Sequence, residues 1–272
     1  MFSPAHYVLL LQYLIYISPR TAQLVQSSTA ADSKDVLYRD AVDRYLTLME
    51  GVVTTSLFPD LGACDGWNNC LGRWPFNAED RMGGNDWAPH GLTMVGNLRI
   101  QNVRYAIEQV VADGIPGDFV ELGVWRGGVC LFARGALNVL GQSDRDVIAF
   151  DAFESIQSYE TNAGFLTVHM EQVQATFERF GLAGDNVKMI KGMFKDTLPH
   201  FKASRDGKPI AVLRLDSNFY DGTTGALYDL YELVPVGGFV VSSCVLSPIF
   251  PSQTPFFLTP PLPLIILMCA DI

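Results

Sequence analysis

The feature of this sequence that most constrains its fold is a regular alternation of short apolar runs and helical patterns along the middle of the chain. Strand patterns occur at 118–122, 147–150, 187–190, 210–215 and 239–241. Helical spacing of apolar residues lies between them, at 129–140, 168–180, 194–201 and 225–234. Strands separated by such helices return in parallel, and these strands are apolar on both faces, as in a covered sheet. The pattern predicts an α/β fold with a doubly wound, mainly parallel sheet.

Composition divides the chain into four expected segments. They are an apolar N-terminal segment, a helical cap with a lid, the α/β domain and an atypical tail, at 1–34, 35–115, 116–243 and 244–272. Within the cap, residues 35–54 and 92–112 have helical character. The connection between them, 57–90, is long enough to be a lid or a binding loop.

The tail at 244–272 differs from the rest of the chain. It contains six prolines and one charged residue, Asp271. Proline at this density is incompatible with a regular helix or a central strand. Two explanations stay open: a segment that contacts a membrane or a partner, or an altered reading frame or retained intron that replaced the original C-terminus. We favour the second, because the composition changes just after a strand, and we therefore expect the last strands of the sheet to be missing or replaced.

Charge and targeting signals exclude some functions. The formal net charge is −10 and there is no Lys/Arg run, which argues against nucleic acid as a partner. The apolar run 7–17 is too short to span a bilayer and no Lys or Arg precedes it. We expect a cytoplasmic protein with free thiols, although small residues at 27–31 keep secretion open.

The ends of two strands carry the candidate cofactor site. After the first strand the chain reads E-L-G-V-W-R-G-G from Glu121, which places Gly123 and Gly127 in a turn before a helix. Glycines permit positive φ and a close backbone approach, and ligands of open parallel sheets bind at this edge. The spacing differs from the G-x-G-x-x-G of dinucleotide sites and suits a phosphate-free cofactor such as S-adenosylmethionine. The second strand ends in Asp151, whose carboxylate suits ribose hydroxyls, although turn chemistry and helix capping are alternatives.

Further candidates lie around this edge. Asp216 ends the fourth strand and is suited to bind a hard cation or to remove a proton, or else to cap the next helix. His90 is a candidate base or substrate contact, with an ordinary loop histidine as the alternative. The tryptophans of the lid are suited to stack on a sugar or to pack beneath the loop: Trp67, Trp74 and Trp87.

Five segments of the sequence resemble the macrocin O-methyltransferase (TylF-type) family. They are T-M-V-G-N-L-R-I (93–100), G-D-F-V-E-L-G-V-W-R-G-G (117–128), G-M-F-K-D-T-L-P (192–199), V-L-R-L-D (212–216) and V-G-G-F-V-V (236–241). The resemblance covers about residues 45–241. It implies a Rossmann-like class I S-adenosylmethionine-dependent methyltransferase that uses magnesium to methylate a hydroxyl of a small molecule in secondary metabolism. A homo-oligomer stays open.

The resemblance also implies residue roles. Five residues would surround the methionine part of the cofactor: Glu121, Gly123, Trp125, Arg126 and Gly127. Asp151 would bind the ribose, and Asp216 would be metal ligand and base. The turn near the adenine would be formed by Gly192, Met193 and Phe194, and the residues closing the pocket would be Thr93 and Met94.

The chain also departs from the family. Ser242 and Ser243 stand where the family has two aspartates, and Asn218 stands where a further acid is common. One carboxylate and two hydroxyls compensate little of a dication's charge, so magnesium affinity is expected to fall. Two functions follow: an O-methyltransferase for a sugar or small natural product with impaired metal binding, or an inactive relative that retains the cofactor pocket. An NAD-dependent oxidoreductase is disfavoured by the glycine spacing.

Overall fold

The computed structural model describes residues 33–59, 62–64, 73–155, 166–217, 220–242 and 264–267. The chain divides into two compact units, residues 1–43 and 44–272. In the first unit the described residues form the beginning of a helix. The division of the chain into four segments stays a prediction.

The helices and strands alternate as the sequence predicts. The helices are α1 (Ser33–Val53), α2 (Ala78–Gly83), α3 (Asn97–Ala112), α4 (Gly128–Val139), α5 (Met170–Arg179), α6 (Phe194–Ser204) and α7 (Tyr220–Leu230). The strands are β1 (Ala63–Cys64), β2 (Arg73–Trp74), β3 (Asp118–Leu122), β4 (Val147–Asp151), β5 (Val187–Lys191), β6 (Ile210–Leu215), β7 (Phe239–Ser242) and β8 (Leu264–Leu267). The short β1 and β2 form an antiparallel pair.

The main sheet has the order β5-β4-β3-β6-β7-β8, and all its strand pairs are parallel. The chain runs outward from β3 to β5 and then returns to β6 beside β3, so the order reverses between these two strands. This confirms the predicted doubly wound sheet. Every residue of β3 and β6 is buried, as the apolar runs predict. The reversal matters for function because ligands of such sheets bind beside it, at the carboxyl ends of the strands.

The tail contains a strand that the sequence analysis did not expect. Residues Leu264–Leu267 form β8, which pairs in parallel with β7 from Phe239 to Ser242. We expected the last strands of the sheet to be missing or replaced, and at this place the tail supplies one parallel strand. The position of this strand at the sheet edge explains why the neighbouring prolines are compatible with pairing. The other tail residues lie outside the described part of the chain.

The helix predicted at 92–112 begins five residues later, at Asn97. The backbone N–H groups of Leu92 and Thr93 instead donate to the carbonyl oxygen of Val53, at 2.9 and 3.3 Å. Gly96 is the N-cap of α3. Residues 92–93 thus form a bridge from the end of α1 to the start of the α/β domain, which a helical period alone does not reveal.

No described helix is both long and apolar enough to cross a membrane. The apolar run 7–17 lies outside the described residues.

A network of charged side chains lies at the N-terminal ends of β3 and β4, on the side of the sheet opposite the carboxyl ends of the strands. Asp118, at the start of β3, is 1% exposed and accepts a hydrogen bond from Nη1 of Arg205 at 2.8 Å. Nζ of Lys208 lies 3.1 Å from the same carboxylate and 3.3 Å from Asp146. Burial by itself would raise the pKa of Asp146, but hydrogen bonds from Lys188 and Lys208 outweigh it and lower that pKa. The network fixes the β3 and β4 starts to the loop before β6.

Replacing Asp118 by Asn should destabilise the protein by about 3–5 kcal/mol, because the Arg205 guanidinium, 4% exposed, keeps its charge without an anionic partner. The free energy of unfolding from urea titration measures this effect. The matched control is Lys208→Gln, which removes a half-exposed cation from the same carboxylate and should cost less than about 1 kcal/mol. Equal effects of the two substitutions would contradict this account.

Candidate functional site

The turn between β3 and α4 has the unusual backbone that the glycine pattern predicts. Gly123, Trp125 and Gly127 have φ values of 86°, 49° and 83°. A Cβ on Gly123 would lie 2.2 Å from the carbonyl oxygen of Asp216, and one on Gly128 would lie 2.5 Å from that of Leu92. The glycines thus permit close approach between segments of the chain itself, in addition to the positive φ.

Asp151 connects the end of β4 to this turn. Its Oδ2 accepts hydrogen bonds from the backbone N–H groups of Val124 and Trp125, at 2.8 and 3.1 Å, and its Oδ1 accepts one from Phe153 at 3.1 Å. The next described helix begins at Met170, so Asp151 does not cap a helix there. Its ribose-binding role stays a prediction, and the structure shows that the same carboxylate also shapes the turn.

The three residues predicted near the adenine follow β5. The N–H of Gly192 donates to the backbone oxygen of Asp151 at 3.0 Å. Met193 is 43% exposed, whereas Phe194 packs against the buried core cluster below the sheet edge. Asp151 therefore lies between the glycine-rich turn and the 192–194 turn.

Glu121 is buried and fully engaged within the sheet. It is 1% exposed, it pairs with Arg214, and its Oε2 accepts a hydrogen bond from Sγ of Cys130 at 2.8 Å. Burial raises the pKa of Glu121 to about 7, against the opposing effects of Arg214 and of the Cys130 hydrogen bond. The register pairs Glu121 with Ala149, two residues before Asp151, so both acids lie on the same face of the sheet.

Arg214 joins Glu121 to Asp216. Its Nη2 donates to Oδ2 of Asp216 at 2.9 Å, and its side chain is 1% exposed. Burial opposes the charge on Arg214, but Asp216 and Glu121 outweigh burial and raise the pKa of Arg214, so it stays a cation. Asp216 itself is 28% exposed, so part of its carboxylate is accessible at the strand end.

Arg126 attaches the loop of His90 to the glycine-rich turn. Its Nη1 donates to the carbonyl oxygens of Pro89 and Gly91, at 2.8 and 2.9 Å, on either side of the exposed His90. Its guanidinium also stacks on the ring of Trp125, 4.1 Å from the centroid. The carbonyl contacts are an observed role, whereas the predicted contact of Arg126 with the cofactor stays a prediction.

The predicted pocket-closing residues lie on the bridge between α1 and α4. Thr93 is buried and Met94 is half-buried. The preceding Leu92 accepts a hydrogen bond from the N–H of Gly128 at 2.9 Å. Thr93 is therefore close to the first turn of α4, although its contact with a cofactor stays a prediction.

The sequence did not predict a buried ion pair within residues 57–90, the segment expected to be a lid or a binding loop. Arg81, 3% exposed, contacts Asp86 at 2.7 Å and donates to Thr54, Thr55 and Gly62. Arg81 lies on α2 and Asp86 lies after its end, and this spacing of five residues gives no recognisable pattern. The pair joins the end of α1 to the lid.

Beside this ion pair is a cavity of about 560 Å³. The residues that line it are Ala63, Trp74, Pro75, Phe76, Asn77, Ala78, Asp80, Asn85 and Asp86. Trp74 is exposed and Phe76 is half-buried. The cavity thus combines aromatic surface with carboxylate and amide groups.

The metal-ligand role of Asp216 stays a prediction. No group of three or more His, Cys, Asp or Glu residues lies together in the part of the chain that the structure describes. Oδ2 of Asp216 is already engaged by Arg214, and Ser242 is 1% exposed. Asn218 and Ser243 lie outside the described residues.

A doubly wound parallel sheet with a glycine-rich turn after its first strand and an acid at the tip of the second defines a Rossmann-like fold. The model of the macrocin O-methyltransferase (TylF) family matches residues 63–247, and this chain belongs to that family.

Relatives agree with this assignment. The chain is 39% identical over 215 residues to the 8-demethyl-8-(2,3-dimethoxy-alpha-L-rhamnosyl)-tetracenomycin-C 4'-O-methyltransferase of Streptomyces olivaceus, covering 74% of this chain and 79% of that protein. It is 34% identical to the mycinamicin III 3''-O-methyltransferase of Micromonospora griseorubida, covering 74% and 82%. The solved structure of the O-methyltransferase NovP superposes with a TM-score of 0.63 at 33% identity, covering 73% of this chain and 82% of that one.

Replacing Gly128 by Ala should destabilise the protein by about 1–3 kcal/mol, because the new Cβ meets the carbonyl oxygen of Leu92. Urea unfolding measures the change. Gly225→Ala is the matched control: this exposed glycine of α7 has no atom within 4 Å of an added Cβ, so the substitution should stabilise by up to about 1 kcal/mol. A neutral Gly128→Ala would show that the Leu92 bridge does not need this close approach.

Proposed function

We propose that this chain transfers a methyl group from S-adenosylmethionine to a hydroxyl group of a sugar or another small natural product. The observation that carries the proposal is the carboxylate of Asp151, fixed between the glycine-rich turn and the 192–194 turn at the reversal of a parallel sheet. The family and the names of the relatives support the same activity.

The residues around Asp151 suit the parts of this cofactor. The backbone uses about three of the roughly four lone-pair sites of the Asp151 carboxylate, so Oδ1 can accept one further hydrogen bond, from a ribose hydroxyl. The exposed Met193 offers a polarizable surface for the adenine. The turn from Gly123 to Gly127 is the proposed place of the methionine part, with Thr93 and Met94 closing the pocket. Glu121, two residues before Gly123, keeps its proposed place beside the methionine part, where its buried carboxylate pairs with Arg214.

The chemistry needs orientation and a proton acceptor. The cofactor supplies a methyl group activated by a sulfonium. The chain holds the acceptor oxygen in line with it, which converts an encounter into an intramolecular step. Asp216 is the proposed base, because its carboxylate is partly accessible at the strand end nearest the reversal. His90 is the alternative base, since Arg126 fixes the backbone on both of its sides.

The cavity of the lid is the proposed acceptor subsite. Trp74 and Phe76 offer aromatic faces for the apolar face of a sugar ring, while Asp80 and Asn85 can bond its hydroxyls. The cavity volume of about 560 Å³ falls in the range of small-molecule sites. A glycosylated natural product therefore fits this composition better than a flat apolar acceptor does.

A second function is favoured by one observation. Ser242, Ser243 and Asn218 replace residues that carry charge in the family, which suits a chain that binds the cofactor but transfers no methyl group. Cofactor binding without product from any acceptor would support this alternative.

The chain should bind S-adenosylmethionine, and Asp151→Asn should weaken binding by at least roughly tenfold, because a neutral amide loses the charged hydrogen bond to ribose and weakens the backbone bonds that shape the turn. Isothermal titration calorimetry measures both affinities, with circular dichroism to verify folding. The control is Asp185→Asn, an exposed acid in the loop before β5. Folded wild-type protein that gives no heat with the cofactor would refute the proposed function.

Replacing Trp74 by Ala should raise the KM for a glycoside acceptor roughly five- to tenfold with unchanged cofactor affinity, because the sugar loses its stacking surface. Mass spectrometry of methylated products from a panel of aryl rhamnosides measures turnover, and saturation-transfer NMR measures glycoside binding directly. Tyr228→Ala, at an 86% exposed position on α7, is the control. Unchanged glycoside binding in Trp74→Ala would place the acceptor elsewhere.

A further inference from the structure

We propose that the cavity of the lid takes an amino sugar, whose protonated amine pairs with the carboxylate of Asp80. The inference rests on the proposed methyl transfer to a glycoside, and it adds the charge of the sugar that the acceptor subsite selects. A sugar without an amine would leave this carboxylate without a counter-ion.

The first argument is the charge that the cavity contains. Two carboxylates line it, those of Asp80 and Asp86, and no described lining residue is a Lys, Arg or His. Asp86 is already neutralised, because Nε of Arg81 donates to both of its oxygens at 2.8 Å. Within the described residues, no hydrogen bond or ion pair engages the carboxylate of Asp80, which is half-buried. The cavity therefore carries one uncompensated negative charge.

An alternative role for Asp80 is to stabilise the first turn of α2, where an acid interacts favourably with the N–H groups. Glu79 supplies a negative charge to the same turn, is exposed and does not line the cavity. The side chain of Asn77 already accepts hydrogen bonds from the backbone N–H groups of both acids, at 2.9 and 3.2 Å. The turn is thus stabilised without Asp80, and Asp80 is the acid that faces a ligand.

The second argument is the cost of covering a charge. A ligand in this cavity removes water from Asp80, and a dehydrated carboxylate is costly unless a cation replaces that water. A sugar hydroxyl offers a neutral donor, whereas an ammonium group offers a charged donor and compensates the carboxylate. The indole of Trp74, 55% exposed, suits both the apolar side of a sugar ring and a neighbouring cation.

The amine anchors the sugar and is not itself methylated. Once protonated, it has no lone pair with which to attack the methyl group of S-adenosylmethionine. A hydroxyl of the same molecule remains the acceptor: its oxygen bonds the methyl carbon while the carbon–sulfur bond breaks, and that electron pair stays on sulfur. The hydroxyl proton passes to the base, and the ammonium group keeps its own protons throughout the step.

The test compares two probes that differ in one group, methyl glucosaminide and methyl glucoside, on the full chain without cofactor. Saturation-transfer NMR titrations at about pH 6, where the amine is protonated, measure both dissociation constants. Wild-type protein should bind the glucosaminide about fivefold or more tightly, the factor expected when a charged hydrogen bond replaces a neutral one. Added salt should reduce this preference, because it screens the charge pair. The neutral methyl N-acetylglucosaminide should show no preference over the glucoside.

Two variants on the same helical turn separate the cavity from net charge. Asp80→Asn should remove the preference for the glucosaminide and leave the affinity for the glucoside nearly unchanged. Glu79→Gln is the matched control: it removes the same charge outside the cavity and should keep the preference. Loss of the preference in both variants would contradict the inference. Circular dichroism verifies folding, and if Asp80→Asn does not fold, the wild-type preference and its salt dependence decide.

Equal affinity of wild-type protein for the two glycosides, or no binding of either at millimolar concentration, would overturn the inference. So would equally tight binding of ethanolammonium, because it would show a site for a simple cation in place of an amino sugar. Failure of the proposed function is distinguished by calorimetry with S-adenosylmethionine on the same preparations, since the glycoside titrations need no cofactor.

Discussion

Close backbone contact at the β3–α4 turn is the constraint on which the candidate site depends. Gly123 allows the carbonyl oxygen of Asp216 to approach, and Gly128 does the same for Leu92. These contacts bring the end of β6, the turn and the bridge from α1 to one place. The carboxylate of Asp151 then fixes the turn through two backbone N–H groups. Four parts of the chain that are distant in sequence meet here: the turn itself, the end of β6, the bridge at Leu92 and the end of β4. The two closest backbone approaches are possible because Gly123 and Gly128 lack a Cβ.

The buried charges are arranged as a chain that runs from the interior toward the strand tips. Cys130 contacts Glu121, Glu121 contacts Arg214, and Arg214 contacts the partly exposed Asp216. Each of these four side chains has a hydrogen-bonding partner, and this limits the free-energy cost of burying charge between two strands. The site thus depends on a hydrogen-bonded network within the sheet as well as on the turn in front of it.

The sequence predicted the sheet well because strands that are buried on both faces are continuous apolar runs bounded by turns. It also placed Asp151 and Asp216 at strand tips, since the position of an acid at the end of a run is a local property. It did not predict the partners of these acids. The pairing of Arg214 with Glu121 follows from strand order, and the late start of α3 follows from contacts of Leu92 and Thr93 with Val53. Such features depend on neighbours that are distant in sequence, although an arginine inside an apolar strand does signal a buried counter-ion.

The two edge strands of the described sheet, β5 and β8, differ in how readily a strand of another polypeptide could pair with them. The outer strand β5 carries Lys188 and Lys191, and a row of charge discourages a foreign strand from pairing there. The opposite outer strand, β8, has the sequence L-I-I-L, which contains no charge to repel a newcomer. Among the described strands, β8 is therefore more open to strand addition than β5 is, and a lysine substitution within β8 would lower that tendency.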